Sequence, residues 1–181
     1  MPTNASLVLP DNKEKLLLHT CCAPCSSAVI ETLMCAEIDF TIYYYNPNIH
    51  PEAEYLARKT ESQRYASKLG IKFIDDDYEP NTWFQRTKGL EFEPERGKRC
   101  SVCFDMRLEK TARYAATHGF DVITSTLGIS RWKNLHQVHE SGQRAVMNLT
   151  NVIYWDHNWR KNGGSTRSAE ISKLEDFYRQ E

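Results

Sequence analysis

The sequence predicts a single-domain α/β fold, spanning residues 1–181, whose mostly parallel sheet is flanked by helices. Short apolar runs alternate with longer helical segments, the order that builds a parallel sheet with crossover helices. The chain is 40% hydrophobic, enough for one buried core. We find no internal repeat, no low-complexity stretch and no sign of a second domain in it.

Five stretches are predicted as strands because each is short and rich in apolar side chains. The first, Lys-Leu-Leu-Leu-His-Thr, indicates a buried strand that ends in a turn. The second contains three consecutive tyrosines and is closed by Asn-Pro-Asn, a sequence typical of turns. The predicted strands are Lys15–Thr20, Asp39–Tyr45, Ile71–Ile74, Asp121–Thr126 and Asn151–Trp155.

Four helices are predicted between these strands. The first begins in a Pro-Cys-Ser-Ser sequence, because proline and serine favour the first turn of a helix. The second and third each end at a glycine, which suits the left-handed residue after a helix. A charged, irregular insertion around residues 79–103, either a loop or a short helical insertion, is predicted to deliver Cys100. The predicted helices are Pro24–Met34, Glu52–Leu69, Cys103–His118 and Asn134–Met147.

Composition and charge narrow the class of protein. Lys and Arg number 23 and Asp and Glu 24, so the formal charge of −1 excludes a uniformly basic nucleic-acid coat but not a local basic patch. The mean hydropathy of −0.61 and the lack of an apolar stretch near ~18 residues exclude a membrane span. Residues 1–18 lack the apolar segment of a signal peptide, so we expect a cytoplasmic, reducing setting without a disulfide framework.

Five of the six cysteines fall into two tight clusters. Cys22-Ala-Pro-Cys25 and Cys100-Ser-Val-Cys103 are both C-x-x-C sequences, and Cys21 adjoins the first. Many residues separate the two motifs, so they act together only if the fold joins them. Two such pairs and an extra thiol predict a metal or cluster site.

The thiol count and spacing constrain the metal chemistry. Four thiolates suit either tetrahedral zinc or an iron–sulfur cluster, and the spacing does not separate the two. Zinc ribbons place their cysteine pairs ~15–20 residues apart, far closer than here, and five thiols exceed a plain zinc site. The first motif lies where a strand meets a helix start, whose positive dipole end favours thiolates. The sixth cysteine, Cys35, is predicted to be a small buried hydrophobe.

The carboxyl ends of parallel strands share one sheet edge, where sites of such folds lie. Asp77 and Tyr78 follow the third strand there and are candidates for proton donation or cation binding, although an acidic run after a strand is usually a solvated turn. His19, at the end of the first strand, either orients a ligand or is a satisfied core residue. The segments at this edge are Thr20–Cys25, Tyr45–His50, Asp75–Tyr78 and Thr124–Arg131.

Two segments, Ser130–Lys133 and Trp155–Arg167, combine cations with aromatic rings, which suits phosphate contact and base stacking. In the second, Trp155–Arg167, Gly163-Gly164 predicts a flexible loop that approaches a ligand; the alternative is a surface turn with two core tryptophans. No G-x-x-x-x-G-K-[ST] sequence is present, so nucleotide hydrolysis is not supported. The candidate nucleic-acid contacts are Arg131, Trp132, Lys133, Trp159, Arg160, Lys161 and Arg167.

Four sequence blocks together carry a family resemblance: Leu16–Ser27, Glu95–Thr111, Thr124–Asn134 and Tyr154–Ser172. The double cysteine of the first and the R-C-x-x-C-x-x-x-R-L of the second are the specific features. From about Leu16 to Glu181 the chain resembles the QueH family, the cobalamin-independent epoxyqueuosine reductases of tRNA queuosine biosynthesis. This resemblance implies a HUP-like, Rossmann-like α/β fold without ATP chemistry, a [4Fe–4S] cluster, and reduction of the epoxide on the wobble nucleoside to an alkene.

Carried over by position, the resemblance implies Cys21, Cys22, Cys100 and Cys103 as cluster ligands. Cys25 is then left over at the same corner. We hypothesise that Cys25, a shared thiolate and a carboxylate such as Asp77 hold a second metal ion, expected to be iron. Placing Cys25 on the cluster and Cys21 or Cys22 on the extra metal fits equally well.

The resemblance also implies partners: a tRNA carrying epoxyqueuosine and an unidentified electron donor. The basic side chains would then grip anticodon-loop phosphates, Trp132 or Trp159 would stack on a base, and Asp77 or Tyr78 would supply protons. Family members continue past the Phe-Tyr-x-Gln-Glu of Phe177–Glu181 into a Tyr-Cys-Gly-Cys tail, and this tail is absent from the present sequence, which ends at Glu181.

Two other functions remain open at this point. A strand, a C-A-P-C sequence and a helix are also the layout of a thioredoxin-like thiol–disulfide oxidoreductase, which leaves the second cysteine pair unexplained. A zinc-stabilised RNA-binding module without catalysis would instead carry one zinc per chain and unfold when chelators remove it.

Overall fold

A parallel β-sheet organises the molecule. The computed structural model describes residues 7–179. Its five strands pair parallel throughout in the order β3-β2-β1-β4-β5, which confirms the predicted α/β class. Four of the five predicted strands each contain an observed strand. The observed third strand begins and ends slightly later than the predicted one. The strands are β1 Leu16–His19, β2 Phe40–Tyr44, β3 Phe73–Asp75, β4 Val122–Ser125 and β5 Ile153–Tyr154.

The residues that the structure describes form six α-helices, which lie on both sides of this sheet. Leu16 and Leu18 of β1 share a buried cluster with residues of α1, α2 and α6, whereas Leu17 shares one with Ala112 and Ala115 of α4. Successive side chains of a strand point to opposite faces, so one apolar run supplies both cores. The helices are α1 Ala23–Cys35, α2 Glu52–Lys68, α3 Pro80–Arg86, α4 Lys98–His118, α5 Leu135–Val146 and α6 Gly164–Leu174.

Helix α4 begins earlier than its sequence pattern predicts. The prediction placed the start at Cys103, but Gly97 is the N-cap and the helix runs from Lys98. The Lys-Arg-Cys sequence that follows the N-cap has no apolar face to signal a helix, yet its residues form the first turn. Cys100 and Cys103 therefore both lie on α4, spaced by about one turn, rather than on a loop and a helix.

The predicted flexible loop at Gly163-Gly164 is wrong, because these residues start α6. Gly163 is the N-cap, with φ +76°, and Gly164 is the first helical residue. A Cβ atom on Gly164 would lie 2.0 Å from the Trp159 carbonyl oxygen, so the close approach of the two backbones requires glycine.

The prediction for Cys35 is also wrong. This cysteine is exposed at the last residue of α1, beyond Leu33, which is fully buried. Helical spacing alone did not reveal that the last turn of α1 extends past the core. As for membranes, none of the helices formed by residues 7–179 combines the length and apolar character needed to cross one.

Candidate metal centre

The first cysteine motif forms a compact thiol group at the corner between β1 and α1. Cys22 is the N-cap of α1, and Pro24 occupies its first turn. One sulfur each from Cys21, Cys22 and Cys25 lies within 4.8 Å of the other two, and the Cys21 and Cys22 sulfurs are 3.9 Å apart. The corner thus presents three potential ligand atoms toward one point near a helix N-terminus.

The three thiols share their protons unequally. The pKa of Cys21 falls well below its ordinary range because the Cys22 and Cys25 thiols donate hydrogen bonds to its sulfur. The pKa of Cys22 rises to about 12, since it acts as a donor to Cys21. Thr126 lies 3.6 Å from the Cys21 sulfur through its hydroxyl, which also accepts the Cys21 N–H. Of the three thiols, Cys21 therefore has the surroundings that most favour the thiolate, the form that binds metals.

The fold brings the second cysteine motif to this corner. Cys21 and Cys100 both pack against one apolar cluster, formed by Phe104, Leu127 and Val138. Cys103 is buried one turn further along α4. Within the described residues, the compact group comprises only the three sulfurs of the first motif, so the two on α4 lie further from it.

A buried arginine links the two motifs. Arg107, 4% exposed, donates from Nη2 to the Cys103 sulfur at 3.1 Å and from Nη1 to Asn46 Oδ1 at 3.4 Å. Asn46 in turn donates from Nδ2 to the Thr20 carbonyl oxygen at 2.9 Å, directly before the first motif. The second motif, the turn after β2 and the end of β1 are thereby joined by hydrogen bonds.

His19 is a satisfied core residue, the second of the two predicted alternatives. Its Nε2–H donates to the Tyr45 carbonyl oxygen at 3.0 Å, and its Nδ1 accepts from the Ser125 hydroxyl at 2.8 Å. Burial, reinforced by the charge of Arg107, lowers its pKa to about 4. The ring is therefore neutral and fixes the spacing between β1, β2 and β4 at the sheet edge.

The donor set is consistent with a metal ion or a metal cluster, including an iron–sulfur cluster. Cys21 of the first motif and Cys100 of the second pack against the same apolar cluster, and the buried guanidinium of Arg107 calls for negative charge beside it. The compact thiol group has the spacing of ligands on a single ion: at ~2.3 Å from a tetrahedral metal, sulfurs lie about 3.8 Å apart. The three thiols of the compact group and the two on α4 are therefore enough for a cluster, with or without a further metal ion.

A groove of about 740 Å³ opens on the compact thiol group. Cys22 and Cys25 line one end of it, and Ile129–Trp132 line a wall. These segments follow β1 and β4, between which the order of the strands reverses, and ligands of open α/β sheets bind at such a switch point. Residues of α6 line it as well, namely Ser165, Thr166, Ser168, Ala169 and Ser172.

The candidate proton donors lie at the same sheet edge without a hydrogen bond to the thiols. Asp77 is exposed, and its N–H donates to Asp76. The Tyr78 hydroxyl donates to the Ile49 carbonyl oxygen at 2.6 Å, and its ring stacks on Tyr55. Their roles therefore stay predictions.

Backbone carbonyl groups of residues 128–133 are held by two arginines. Arg160 donates to the carbonyl oxygens of Gly128, Ser130 and Lys133. Arg96 donates to those of Arg131 at 3.2 Å and Trp132 at 3.1 Å. The backbone of this segment is thus held against the protein, while Arg131 is exposed and Trp132 is 65% exposed.

The other predicted nucleic-acid contacts differ in accessibility. Trp159 is 5% exposed and packs edge-on against Trp155, as the alternative of two core tryptophans predicted. Arg167 forms a two-pronged ion pair with Glu31 and a second with Glu170. Lys161 is exposed. Of Trp132 and Trp159, only Trp132 offers an open ring face.

The sequence analysis did not single out Arg96, Arg107 or Asn46. The signal was present for Arg107, which is the arginine of the R-C-x-x-C-x-x-x-R-L block, four residues after Cys103 and so on the same helix face. Nothing in the pattern around Arg96 or Asn46 indicated their partners, which come from distant parts of the chain.

The chain is similar in sequence to a family of known proteins over nearly its whole length. The family model described as "Epoxyqueuosine reductase QueH" matches residues 16–181. A protein of that name from Haemophilus influenzae is 61% identical over 175 residues, covering 97% of this chain and 71% of the relative. The Acinetobacter baylyi protein of that name is 59% identical, covering 97% and 80%, and the Staphylococcus epidermidis one 40% identical, covering 93% and 73%.

Proposed function

The chain belongs to the QueH family of epoxyqueuosine reductases, oxidoreductases of queuosine biosynthesis, and we propose that it reduces the epoxide of epoxyqueuosine in tRNA with an iron–sulfur cluster. The reaction takes two electrons and two protons: both C–O bonds of the epoxide break, an alkene forms, and the oxygen leaves as water. The observation that supports the proposal is the groove lined by Cys22 and Cys25 of the compact thiol group.

The proposed cluster ligands are Cys21, Cys22, Cys100 and Cys103, which converge from the β1–α1 corner and from α4. A bound [4Fe–4S] cluster would supply electrons one at a time from a separate donor. The remaining thiol, Cys25, lines the groove and is proposed to help hold a second metal ion, iron, with a shared thiolate and Asp77. In the alternative assignment, Cys25 binds the cluster and Cys21 or Cys22 binds the second metal ion. This assignment uses the same five sulfurs.

The groove is proposed to receive the modified wobble nucleoside. Its walls would exclude water from the epoxide and orient that ring toward the thiol end. The exposed ring of Trp132 stacks on a splayed base, while Arg131 and Lys133 beside it contact phosphates. Asp77 and Tyr78, which follow β3 at the same edge, are the proposed proton donors.

Metal analysis of protein purified without oxygen tests the cluster. We expect a brown protein with a broad band near ~400 nm and about four irons and four sulfides per chain, and more iron if the second metal is bound. One zinc per chain would favour the RNA-binding module. A colourless protein that stays metal-free after anaerobic reconstitution would favour the thiol–disulfide oxidoreductase.

Replacing single cysteines sharpens this test. Cys100→Ser removes a proposed ligand, so we expect loss of most cluster iron and of the conversion of epoxyqueuosine to queuosine, measured by mass spectrometry of nucleosides from digested tRNA. Cys35→Ser is the matched control, because Cys35 is exposed at the far end of α1. Equal iron in both variants would contradict the proposed ligand set.

A further inference from the structure

Arg107 is a buried cation that the proposed reaction does not use. Its three hydrogen-bonding nitrogens contact the Cys103 carbonyl oxygen, Asn46 Oδ1 and the Cys103 sulfur. Within residues 7–179 no carboxylate forms an ion pair with it. Of these acceptors, only the sulfur becomes an anion, and it does so when it loses its proton.

An isolated buried charge is costly, so a buried guanidinium indicates a compensating anion nearby. Amide and carbonyl oxygens satisfy its hydrogen bonds but supply no net charge. The neighbouring cysteines would supply it as ligands of the anionic group that they are proposed to bind. The guanidinium carbon also lies 5.8 Å from the centre of the Phe104 ring, which packs against Cys21 and Cys100. Arg107 thus sits within the shell of side chains around both cysteine motifs.

We propose that Arg107 is a positioning residue that holds the Cys103 sulfur in place and raises the reduction potential of the iron–sulfur group. This inference rests on the proposed function, since it needs that group to be bound. A reduced cluster carries one more negative charge than an oxidised one, so a fixed cation and an N–H donor to a ligand sulfur stabilise the reduced form. Through Asn46 and Thr20, the same side chain sets the distance between the two motifs.

Redox titration of the reconstituted full chain, followed by visible absorbance and electron paramagnetic resonance, tests the inference. Arg107→Met keeps much of the side-chain volume but removes the charge and the donors, so the midpoint potential shifts to a more negative value. Arg107→Lys keeps the charge without the planar fork and shifts it less. Iron release to a chelator is about 10-fold faster in Arg107→Met, the lower range for loss of a ligand's hydrogen-bond partner.

Arg144→Met is the matched control. Arg144 lies on α5, is half-exposed, and pairs with Asp105 of α4, so its replacement changes the net charge equally without touching a sulfur. Its cluster keeps the wild-type midpoint potential. If the midpoint potential of Arg107→Met equals that of Arg144→Met, the inference is overturned, whereas the proposed function stays intact.

A metal-free comparison separates this role from a purely structural one. Without the anionic group, Arg107 is a buried cation with little compensation, so metal-free Arg107→Met melts no lower than the metal-free wild type. A clear drop in melting temperature together with an unchanged midpoint potential would show that Arg107 only supports the fold, and would overturn the inference. A wild-type chain that binds no iron would overturn both this inference and the proposed function. If Arg107→Met takes up no iron, the potential of Arg107→Lys decides the question.

Discussion

At the scale of single residues, arginines show how little side-chain type alone says about role. Arg160 stands in a basic, aromatic segment that predicts contact with nucleic acid, yet its guanidinium binds three carbonyl oxygens of the chain itself. Burial lowers the pKa of this side chain, and Arg96 close by adds to the effect. Its contribution to RNA binding is therefore proposed to be indirect, through the shape of residues 128–133.

Arg160→Ala tests this structural role. We expect the free energy of unfolding to fall by about 2–4 kcal/mol, because three carbonyl groups lose charge-assisted hydrogen bonds. Chemical denaturation measures the change. Lys161→Ala is the control, since Lys161 is the exposed neighbouring cation, and its replacement should stay within ~0.5 kcal/mol of the wild type. Equal stability of the two variants would contradict the structural role.

At the scale of elements, close packing between helix and sheet places strict demands on a few positions. Helix α5 packs against β5 through Gly142, where a Cβ atom would lie 2.3 Å from ring atoms of Tyr154. The Tyr154 ring cannot retreat freely, because its hydroxyl pairs with His139 Nδ1 at 3.0 Å. A glycine inside a helix, unfavourable by propensity, is here required by the contact.

Gly142→Ala should therefore destabilise the protein despite the better helix propensity of alanine. We expect a loss of about 1–3 kcal/mol in the free energy of unfolding, the range for an overpacked core. Thermal or chemical denaturation provides the measurement. Gln143→Ala, at the next and exposed position of α5, should be neutral or slightly stabilising. A stabilised Gly142→Ala protein would refute the packing argument.

At the scale of the whole molecule, basic and acidic side chains nearly balance, so positive charge can act on a ligand only where basic side chains cluster. The formal charge of −1 gives no general attraction to nucleic acid, so the proposed RNA binding would depend on the side chains around the groove. Arg131 and Lys133 stand beside the exposed Trp132, and Arg179 lines the same groove. A local patch on a neutral protein is expected to bind RNA with a moderate number of phosphate contacts.

Salt titration of tRNA binding measures that number. Three phosphate contacts predict that the logarithm of the binding constant falls with the logarithm of salt concentration at a slope of about −2. Lys133→Ala should reduce the slope by ~0.7 and weaken binding similarly for all tRNA sequences. Lys72→Ala, near the opposite end of the sheet before β3, is the control. A slope near zero would remove the basic patch from the RNA interface.

The sequence by itself determined the α/β class, the order of the five strands and of the four helices between them, and the two cysteine motifs. Apolar runs long enough for buried strands are local signals, and the structure confirms the strands that they predict at β1, β2 and β4. Glycines that end helices are local signals of the same kind. The C-x-x-C spacing is equally local, because it places two sulfurs near each other without help from the rest of the chain. Together with the double cysteine, these motifs also identified the family.

Only the tertiary structure decided which side chains face the site. The start of α4 at Lys98, the start of α6 at Gly164 and the burial of Trp159 depend on packing between elements that are distant in sequence. Arg107 and Arg160 are alike in sequence terms, yet one lies against a cysteine sulfur and the other against backbone carbonyl groups. The reason is physical: periodicity fixes the face of an element, whereas the partner of a long charged side chain is set by whichever unsatisfied group the fold brings within reach.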